Sequence, residues 1–357
     1  MKHSLSATNS RFGRAIARTL MVAGLALTAV EAQAAKFEWQ YFSVAPPLHP
    51  YAEILTKHFD AIEERTDGEL SIDLVYFGET PYKGAEAEKL MRDGLVEMTE
   101  WLLGYSTSTY PILSGPELPF LAPSRTGANE MIAAMDGAWA SEDVSAALGE
   151  ILARHDAKQL SRFYWAPQNH WLTEPIDSPD GFKGLKIREF SAEGIDFTKA
   201  IGATPVSMTA PDVYSALQRG TLDGVVTAST SMTGLKWGEV LKAGYITNFK
   251  LTISLILVSE DAFDSLPPEY QTVLQEEVDA ATTEILEYMA SGEEAMHEQL
   301  KKEYGFTINY ATDEDYTKLR NIAKEAVWPN WVERVGPDSG KPVVNGVLEA
   351  LGAPERM

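Results

Sequence analysis

Residues 181–224 read GFKGLKIREFSAEGIDFTKAIGATPVSMTAPDVYSALQRGTLDG and decide the fold. A short apolar strand is predicted over 186–190, followed by a helix over 192–201 that ends at Gly202. A second helix over 212–219 ends at Gly220, and 225–228 begins another strand after the Asp223-Gly224 turn. Strands that alternate with helices at this spacing indicate an α/β protein.

The same stretch places an arginine, Arg188, at the end of a buried strand. A guanidinium stays charged at physiological pH, and its planar fork of donors matches the two oxygens of a carboxylate. The sequence therefore predicts a binding site for an organic anion.

The alternation continues on both sides of this stretch. Strands are predicted over 36–44, 70–77, 96–102, 160–165, 251–258 and 306–310, and helices over 51–66, 83–93 and 313–328. Residues 269–303 keep apolar residues at helical spacing for more than thirty positions, which is long for a globular helix. At about 1.5 Å per residue this helix would reach across two units of structure.

The first residues have the pattern of a cleavable secretory signal peptide, residues 1–34. Four basic residues precede an apolar run over 20–30, and Ala32-Gln33-Ala34 supplies a small-x-small cleavage site. The run is shorter than the roughly 20 residues of a membrane span. We expect a mature protein that is exported to the periplasm.

Composition narrows the function classes. The 357 residues include no cysteine, 52 acidic and 30 basic residues, and carry a net charge of −22. Such a surface repels nucleic acid, so no nucleic-acid partner is expected, and disulfides and thiolate metal sites are excluded. Motifs for serine nucleophiles, zinc proteases, dinucleotides and phosphate loops are absent from the sequence, so we expect no catalytic residues, no metal and no cofactor.

Several motifs together resemble one family, the periplasmic solute-binding proteins of tripartite ATP-independent periplasmic (TRAP) transporters, in the DctP-type branch of C4-dicarboxylate and sialic acid receptors. These are RTDGEL at 65–70, LPF at 118–120, GLKIR at 184–188, GATP at 202–205 and VYSALQRGTLDG at 213–224. The resemblance covers nearly all of the chain after the signal peptide, and its last three motifs are specific in combination.

The resemblance implies a periplasmic binding protein-like fold of two discontinuous α/β lobes with a hinge. Lobe I is predicted to contain residues 35–159 and 250–289, and lobe II residues 160–249 and 290–357, with the long helix spanning both. The lobes would close over a solute by hinge motion. The closed receptor, a monomer, would then be recognised by a permease of small and large membrane subunits.

The resemblance places Arg188 at the position that anchors the carboxylate of the solute. Some further residues match other pocket positions of the family, and others are predicted because they are aromatic or polar residues near those positions. The full set of predicted site residues is Arg188, Trp165, His170, Thr227, Trp101, Glu100, Phe42, Ser43, Phe190, Ala210 and Trp237. His170 stands where many relatives have a second arginine, and a structural role for this histidine is the alternative.

Departures from the family pattern point to a less polar ligand. Thr227 replaces an asparagine and Ala210 replaces a phenylalanine, which removes an amide and leaves room beside the aromatic residues. An aromatic or branched monocarboxylate fits this pattern. The alternative is a zwitterionic compatible solute such as ectoine, whose cation Glu100 would hold beside Trp101, or a sulfonate.

Overall fold

The computed structural model describes residues 36–357, except 45–46, 78, 80–81, 83 and 126, so the predicted signal peptide lies outside the described residues. The strands are β1 (Phe37–Ser43), β2 (Leu70–Tyr76), β3 (Met98–Leu102), β4 (Ala157–Tyr164), β5 (Gln168–Leu172), β6 (Lys186–Glu189), β7 (Thr204–Ser207), β8 (Gly224–Ala228), β9 (Ala243–Lys250), β10 (Ile253–Ser259) and β11 (Thr307–Tyr310).

Helices pack against both sheets. They are α1 (Pro50–Arg65), α2 (Ala87–Arg92), α3 (Ala128–Trp139), α4 (Glu142–Arg154), α5 (Ala192–Ala200), α6 (Ala210–Gln218), α7 (Ser231–Gly234), α8 (Glu260–Ser265), α9 (Pro268–Tyr304), α10 (Asp313–Ala326), α11 (Trp328–Val335) and α12 (Pro337–Ala350). None of the described helices is both long and apolar enough to cross a membrane.

Two sheets form the framework. The first has the strand order β2-β1-β3-β10-β4, in which β10 runs antiparallel to both neighbours. The second has the order β11-β9-β5-β8-β6-β7, in which β5 runs antiparallel to β8 and β9. The α/β class is confirmed, but both sheets are mixed, because β10 and β5 arrive from the opposite sheet rather than through a helical crossover.

The chain passes between the sheets at two adjacent places. Residues 165–167 join β4 to β5, and residues 251–252 join β9 to β10. The backbone N–H of Trp165 donates to the carbonyl of Thr252 at 2.9 Å, which ties the two crossing segments together. The two sheets are therefore connected by a pair of neighbouring segments rather than by a single linker.

The long helix α9 contacts both halves of the molecule. Its first part packs on α1 and β4, with Leu274 and Ile285 in the main apolar core, whereas Met296 and Leu300 lie in a separate apolar cluster beside the second sheet. It ends at Gly305, whose φ of 69° suits a glycine cap. The predicted spanning helix therefore exists at the predicted position.

The predicted lobe boundaries remain a proposal, which the element positions refine. Strand β4 continues in the first sheet to Tyr164, five residues beyond the predicted boundary at 159. At the C-terminus, α10 packs on α5 of the second half, but α12 packs on α3 and α4 of the first. The predicted helix over 313–328 stops at Ala326, and Pro329 opens the new helix α11.

Candidate ligand-binding site

A cavity of about 50 Å³ lies between the two sheets beside the crossing segments, and we call it the central cavity. The first half and the crossings contribute Val44, His49, Leu102, Tyr105, Trp165, Gln168 and Thr252. The second half contributes Arg188, Phe190, Ala210, Thr227, Ser231, Leu235 and Trp237. Clefts or cavities with apolar walls and a few convergent polar groups are the usual form of small-molecule sites.

Arg188 lies on β6, between β7 and β8, and only 2% of it is exposed. Its Nε donates to the carbonyl of Met208 at 2.8 Å and its Nη1 to the carbonyl of Val226 at 3.2 Å. Its Nη2 donates to the hydroxyl of Tyr105 at 3.3 Å. All three acceptors are neutral, and a guanidinium has further N–H groups to offer.

Within the described part of the chain, Arg188 has no carboxylate within ion-pair distance. The next residue, Glu189, faces away and accepts a hydrogen bond from Thr198 at 2.6 Å. Burial raises the pKa of Glu189, and the positive charge of Lys250 opposes this rise more than that of Arg188 does. The guanidinium is therefore a buried charge without a close anionic partner, an arrangement that an anionic ligand would stabilise.

Aromatic rings surround this guanidinium. The Arg188 Cζ lies 4.9 Å from the ring centre of Phe190 and 5.8 Å from that of Trp237. The Phe190 ring meets the ring of Tyr105 edge-on at 5.8 Å, and a Cβ built on Gly104 would lie 2.4 Å from Phe190. Gly104 thus allows the first half to approach the ring closely.

Tyr105 connects the two halves directly. Its hydroxyl accepts the backbone N–H of Ala210 at 3.4 Å as well as the Arg188 donor. Tyr105 follows β3 in the first half, whereas Ala210 opens α6 in the second. The sequence analysis missed Tyr105, since a lone tyrosine after a predicted strand gives no signal of such a role.

Six of the predicted site residues line the central cavity: Arg188, Trp165, Phe190, Ala210, Thr227 and Trp237. Trp165 donates from its Nε1 to Ser254 at 2.9 Å, and this bond fixes its ring. The structure brings these side chains together from β6, α6, β8 and a crossing segment, although their positions span more than seventy residues of sequence.

Glu100 lies beneath the cavity rather than on it. Its Oε2 accepts from the hydroxyl of Tyr51 and the backbone N–H of Val44, and its Oε1 accepts from Ser254 at 2.6 Å. Burial raises the pKa of Glu100 to about 7. This position does not support the prediction that Glu100 faces a cationic ligand, because its oxygens accept hydrogen bonds from the backbone of Val44 and from the side chains of Tyr51 and Ser254.

His170 also lies away from the cavity. Its ring stacks on Phe249 at 5.1 Å and packs on Phe182 at 4.6 Å, and burial lowers its pKa to about 3. Both ring nitrogens lack a hydrogen-bond partner among the described residues. The structural alternative for His170, rather than a contact with solute, agrees with this position inside an aromatic cluster.

Three other predicted residues lie outside the lining. Trp101 points to the opposite face of β3 from Glu100 and donates to Ser106 at 2.9 Å. Phe42 packs edge-on against Phe77 at 6.2 Å. Ser43 shares a 2.5 Å hydrogen bond with the hydroxyl of Tyr51. These three side chains contact other residues of the first half and help to stabilise the first sheet.

The sequence analysis also missed His49, Gln168 and Thr252 on the cavity wall. His49 is the N-cap residue of α1, and the following Pro50 marks a helix start but not a cavity position. Gln168 directly follows one crossing segment and Thr252 lies in the other, so their positions depend on how the chain passes from one sheet to the other. Sequence periodicity carries no information on that passage.

Comparisons with known proteins all find solute-binding proteins. The bacterial extracellular solute-binding proteins, family 7, match residues 42–333. The 2,3-diketo-L-gulonate-binding periplasmic protein YiaO of Escherichia coli is 28% identical over 272 residues, which cover 73% of this chain and 77% of YiaO.

Solved structures share the fold. DctP6 of Bordetella pertussis, a solute receptor that binds pyroglutamic acid, has a TM-score of 0.76 and 23% identity, covering 88% of this chain and 99% of DctP6. A marine metagenome TRAP solute-binding protein specific for aromatic acids, in complex with 3-hydroxybenzoate, has a TM-score of 0.75 and 20% identity. That match covers 89% of this chain and 99% of the metagenome protein.

Proposed function

Because this chain belongs to the bacterial extracellular solute-binding proteins of family 7, the receptors of TRAP transporters, we propose that it captures a small organic carboxylate in the central cavity. It delivers the solute from the periplasm to a permease of small and large membrane subunits. It acts as a monomeric receptor and not as an enzyme. The observation that carries this proposal is the buried Arg188, whose hydrogen-bond acceptors are all neutral.

The charge balance of the lining favours one carboxylate over two. Arg188 is the one lysine or arginine among the described residues that line the central cavity, and no aspartate or glutamate joins it there. A second carboxylate would be buried without a cationic partner, which is strongly unfavourable. The aromatic rings of Phe190, Trp165 and Trp237 suit a flat or branched apolar body.

The same lining bears on the alternative ligands. A zwitterion such as ectoine needs an acceptor for its cation, and the candidate carboxylate Glu100 is occupied beneath the cavity. A sulfonate offers oxygens to Arg188 as a carboxylate does, so the geometry of the guanidinium alone does not separate these two classes. Support for the carboxylate comes from the pyroglutamic acid and 3-hydroxybenzoate bound by the two structural neighbours.

Thermal-shift screening of the mature protein tests this proposal. The library contains aromatic and branched monocarboxylates, dicarboxylates, sulfonates and ectoine-like zwitterions, each with turnover checked by chromatography. We expect monocarboxylates to raise the melting temperature without being consumed. Stabilisation by zwitterions alone would favour the alternative, and consumption of a bound compound would contradict the receptor function.

Arg188→Lys then tests the anchor. The ammonium of lysine cannot reproduce the planar fork, so we expect binding of the best monocarboxylate to weaken by about 2–4 kcal/mol in calorimetry. The matched control is Arg162→Lys, since Arg162 also lies on a strand but pairs with Asp136 at 3.0 Å on the surface. Equal affinity of wild type and Arg188→Lys would refute the role of Arg188.

A further inference from the structure

His49 presents its two ring nitrogens to different surroundings. The Nδ1 accepts the backbone N–H of Tyr51 at 3.3 Å and thereby caps α1. A ring nitrogen that accepts a hydrogen bond carries no proton, so the proton of the neutral ring is on Nε2. Burial lowers the pKa of His49 to about 3, and the ring is therefore neutral in ordinary media with Nε2 as a donor.

This Nε2–H has no acceptor among the described residues, although His49 is only 1% exposed. A buried donor without a partner costs about 1–3 kcal/mol. The ring cannot readily turn away, because Trp165 and Tyr51 each pack edge-on against it at 5.4 Å, and Tyr288 does so at 6.0 Å. His49 lines the central cavity, so the ring that carries this unused donor is held in place beside the cavity.

The position of this donor complements that of Arg188. His49 precedes α1 in the first half, whereas Arg188 lies on β6 in the second half, and both line the same cavity. A solute held by Arg188 at its carboxylate would meet His49 with another part of its body. Since the imidazole is neutral, the acceptor it best satisfies is a neutral oxygen, because a second carboxylate would remain without a cation.

We propose that the Nε2–H of His49 donates a hydrogen bond to a keto, hydroxyl or ring-carbonyl oxygen of the solute, so that the receptor selects oxygenated carboxylates over their hydrocarbon counterparts. This inference rests on the carboxylate-binding function proposed above and names a second contact of that same site. The solute then bridges the two halves of the protein, with its carboxylate on one side and its neutral oxygen on the other. A ligand without that oxygen leaves the donor unsatisfied and binds about 10- to 100-fold more weakly.

Two substitutions separate the two nitrogens of His49. In His49→Asn, the amide oxygen stands near the position of Nδ1 and keeps the helix cap, while the Nε2 donor is lost. In His49→Gln, the longer amide places an N–H near the position of Nε2 and the cap is lost. The pair therefore tests the donor against the cap.

The probes are carboxylates that differ by one oxygen or carbonyl function: 3-hydroxybenzoate with benzoate, 3-oxocyclopentanecarboxylate with cyclopentanecarboxylate, and 4-methyl-2-oxopentanoate with 4-methylpentanoate. Calorimetry on the wild type is expected to show a preference of at least about tenfold for the oxygenated member of one or more pairs. In His49→Asn this preference falls below about threefold, and in His49→Gln most of it remains.

The outcomes distinguish this inference from the function beneath it. If the wild type binds carboxylates through Arg188 but discriminates within no pair, or if His49→Asn keeps the full preference, the role of His49 is overturned and the proposed function stands. If no carboxylate binds, both are overturned.

A second measurement does not depend on the variants folding. In wild-type protein labelled with ¹⁵N-histidine, the Nε2–H resonance of His49 is expected to move downfield when the oxygenated probe is added, and to move less with its hydrocarbon partner. Equal responses to both members of a pair would overturn the inference.

Discussion

Two buried cations in the second half of the chain, Arg188 and Lys250, have opposite surroundings. Each is only 2% exposed. Lys250 donates to Ser191 at 3.0 Å, and its charge acts on the buried carboxylates of Glu117 and Glu189. Arg188 instead donates to two backbone carbonyls and one hydroxyl.

This difference suggests a criterion that separates charged residues that stabilise the fold from charged residues that bind a ligand. A buried cation whose field is balanced by the protein itself contributes to stability, and its removal leaves uncompensated anions. A buried cation with neutral neighbours contributes little to stability and gains its partner only when a ligand arrives. By this criterion Lys250 is predicted to have a structural role and Arg188 to bind the ligand.

The largest expected effect comes from exchanging the two cations for methionine. Lys250→Met leaves Glu117 buried without its cation and removes the stronger of the two positive charges that act on Glu189, and we expect it to lower the free energy of unfolding by about 4 kcal/mol at pH 8. Arg188→Met removes an unbalanced charge at the loss of two carbonyl partners, so we expect a change of less than about 1 kcal/mol. Urea denaturation without ligand measures both values.

Ligand binding supplies the control for this pair. Arg188→Met is expected to bind the best carboxylate more than about 100-fold more weakly than wild type. A loss of stability in Arg188→Met as large as that in Lys250→Met would show that both arginine and lysine are structural, and the contrast between them would be lost.

The second prediction is that the free energy of unfolding changes with pH by about 3 kcal/mol because of one buried carboxyl group. Glu117 is buried, and the cost of its desolvation raises its pKa to about 7, above the usual value of 4.5. The folded state therefore binds this proton more tightly than the unfolded state. The resulting stability is fully present below pH 4.5 and is lost as the pH rises to about 7.

Glu117→Gln removes this contribution while keeping the geometry. The amide can still accept from the backbone N–H of Ile253 and exchange a hydrogen bond with Thr252. Urea denaturation between pH 4.5 and 8 should show that the stability of the variant falls less steeply with pH than that of wild type. Parallel curves for the two proteins would contradict a raised pKa at Glu117.

The smallest effect concerns the contact beside Arg188. In Gly104→Ala, the new methyl group would lie 2.4 Å from the Phe190 ring, so the ring that covers the guanidinium must shift. We expect carboxylate affinity to fall about fivefold to twentyfold, equivalent to about 1–2 kcal/mol. Calorimetry measures the change.

Gly149→Ala is the matched control, because a Cβ at this position of α4 meets nothing within 4 Å. It should leave affinity unchanged and slightly stabilise the helix. Equal affinities for Gly104→Ala and Gly149→Ala would show that the close approach to Phe190 has no part in binding.

The sequence predicted the α/β fold, the long helix and the place of Arg188 in the cavity wall. These features depend on local signals: glycine and proline boundaries, helical periodicity, and a motif in which strand, turn and arginine are adjacent. Arg188 could be placed because its strand is short and its family motif is specific.

The sequence could not predict which face of a fully buried strand lies toward the cavity. All five residues of β3 and all five of β5 are buried, so no alternation of polar and apolar residues shows which face meets the ligand. The sequence analysis places Glu100 in the site as the neighbour of Trp101 and His170 from its match to a family arginine, whereas Glu100 lies beneath the cavity and His170 in an aromatic cluster. His49 and Tyr105 were not predicted, because they reach the cavity wall only through the packing of one half of the protein on the other.

The helix α9 has a consequence for how the protein unfolds. Its side chains Leu274 and Ile285 belong to one apolar core and Met296 and Leu300 to the other, within a single 37-residue helix. Neither half can melt without stripping part of this shared helix from its neighbour. Although the chain forms two sheets, we therefore expect its thermal denaturation to be one cooperative event.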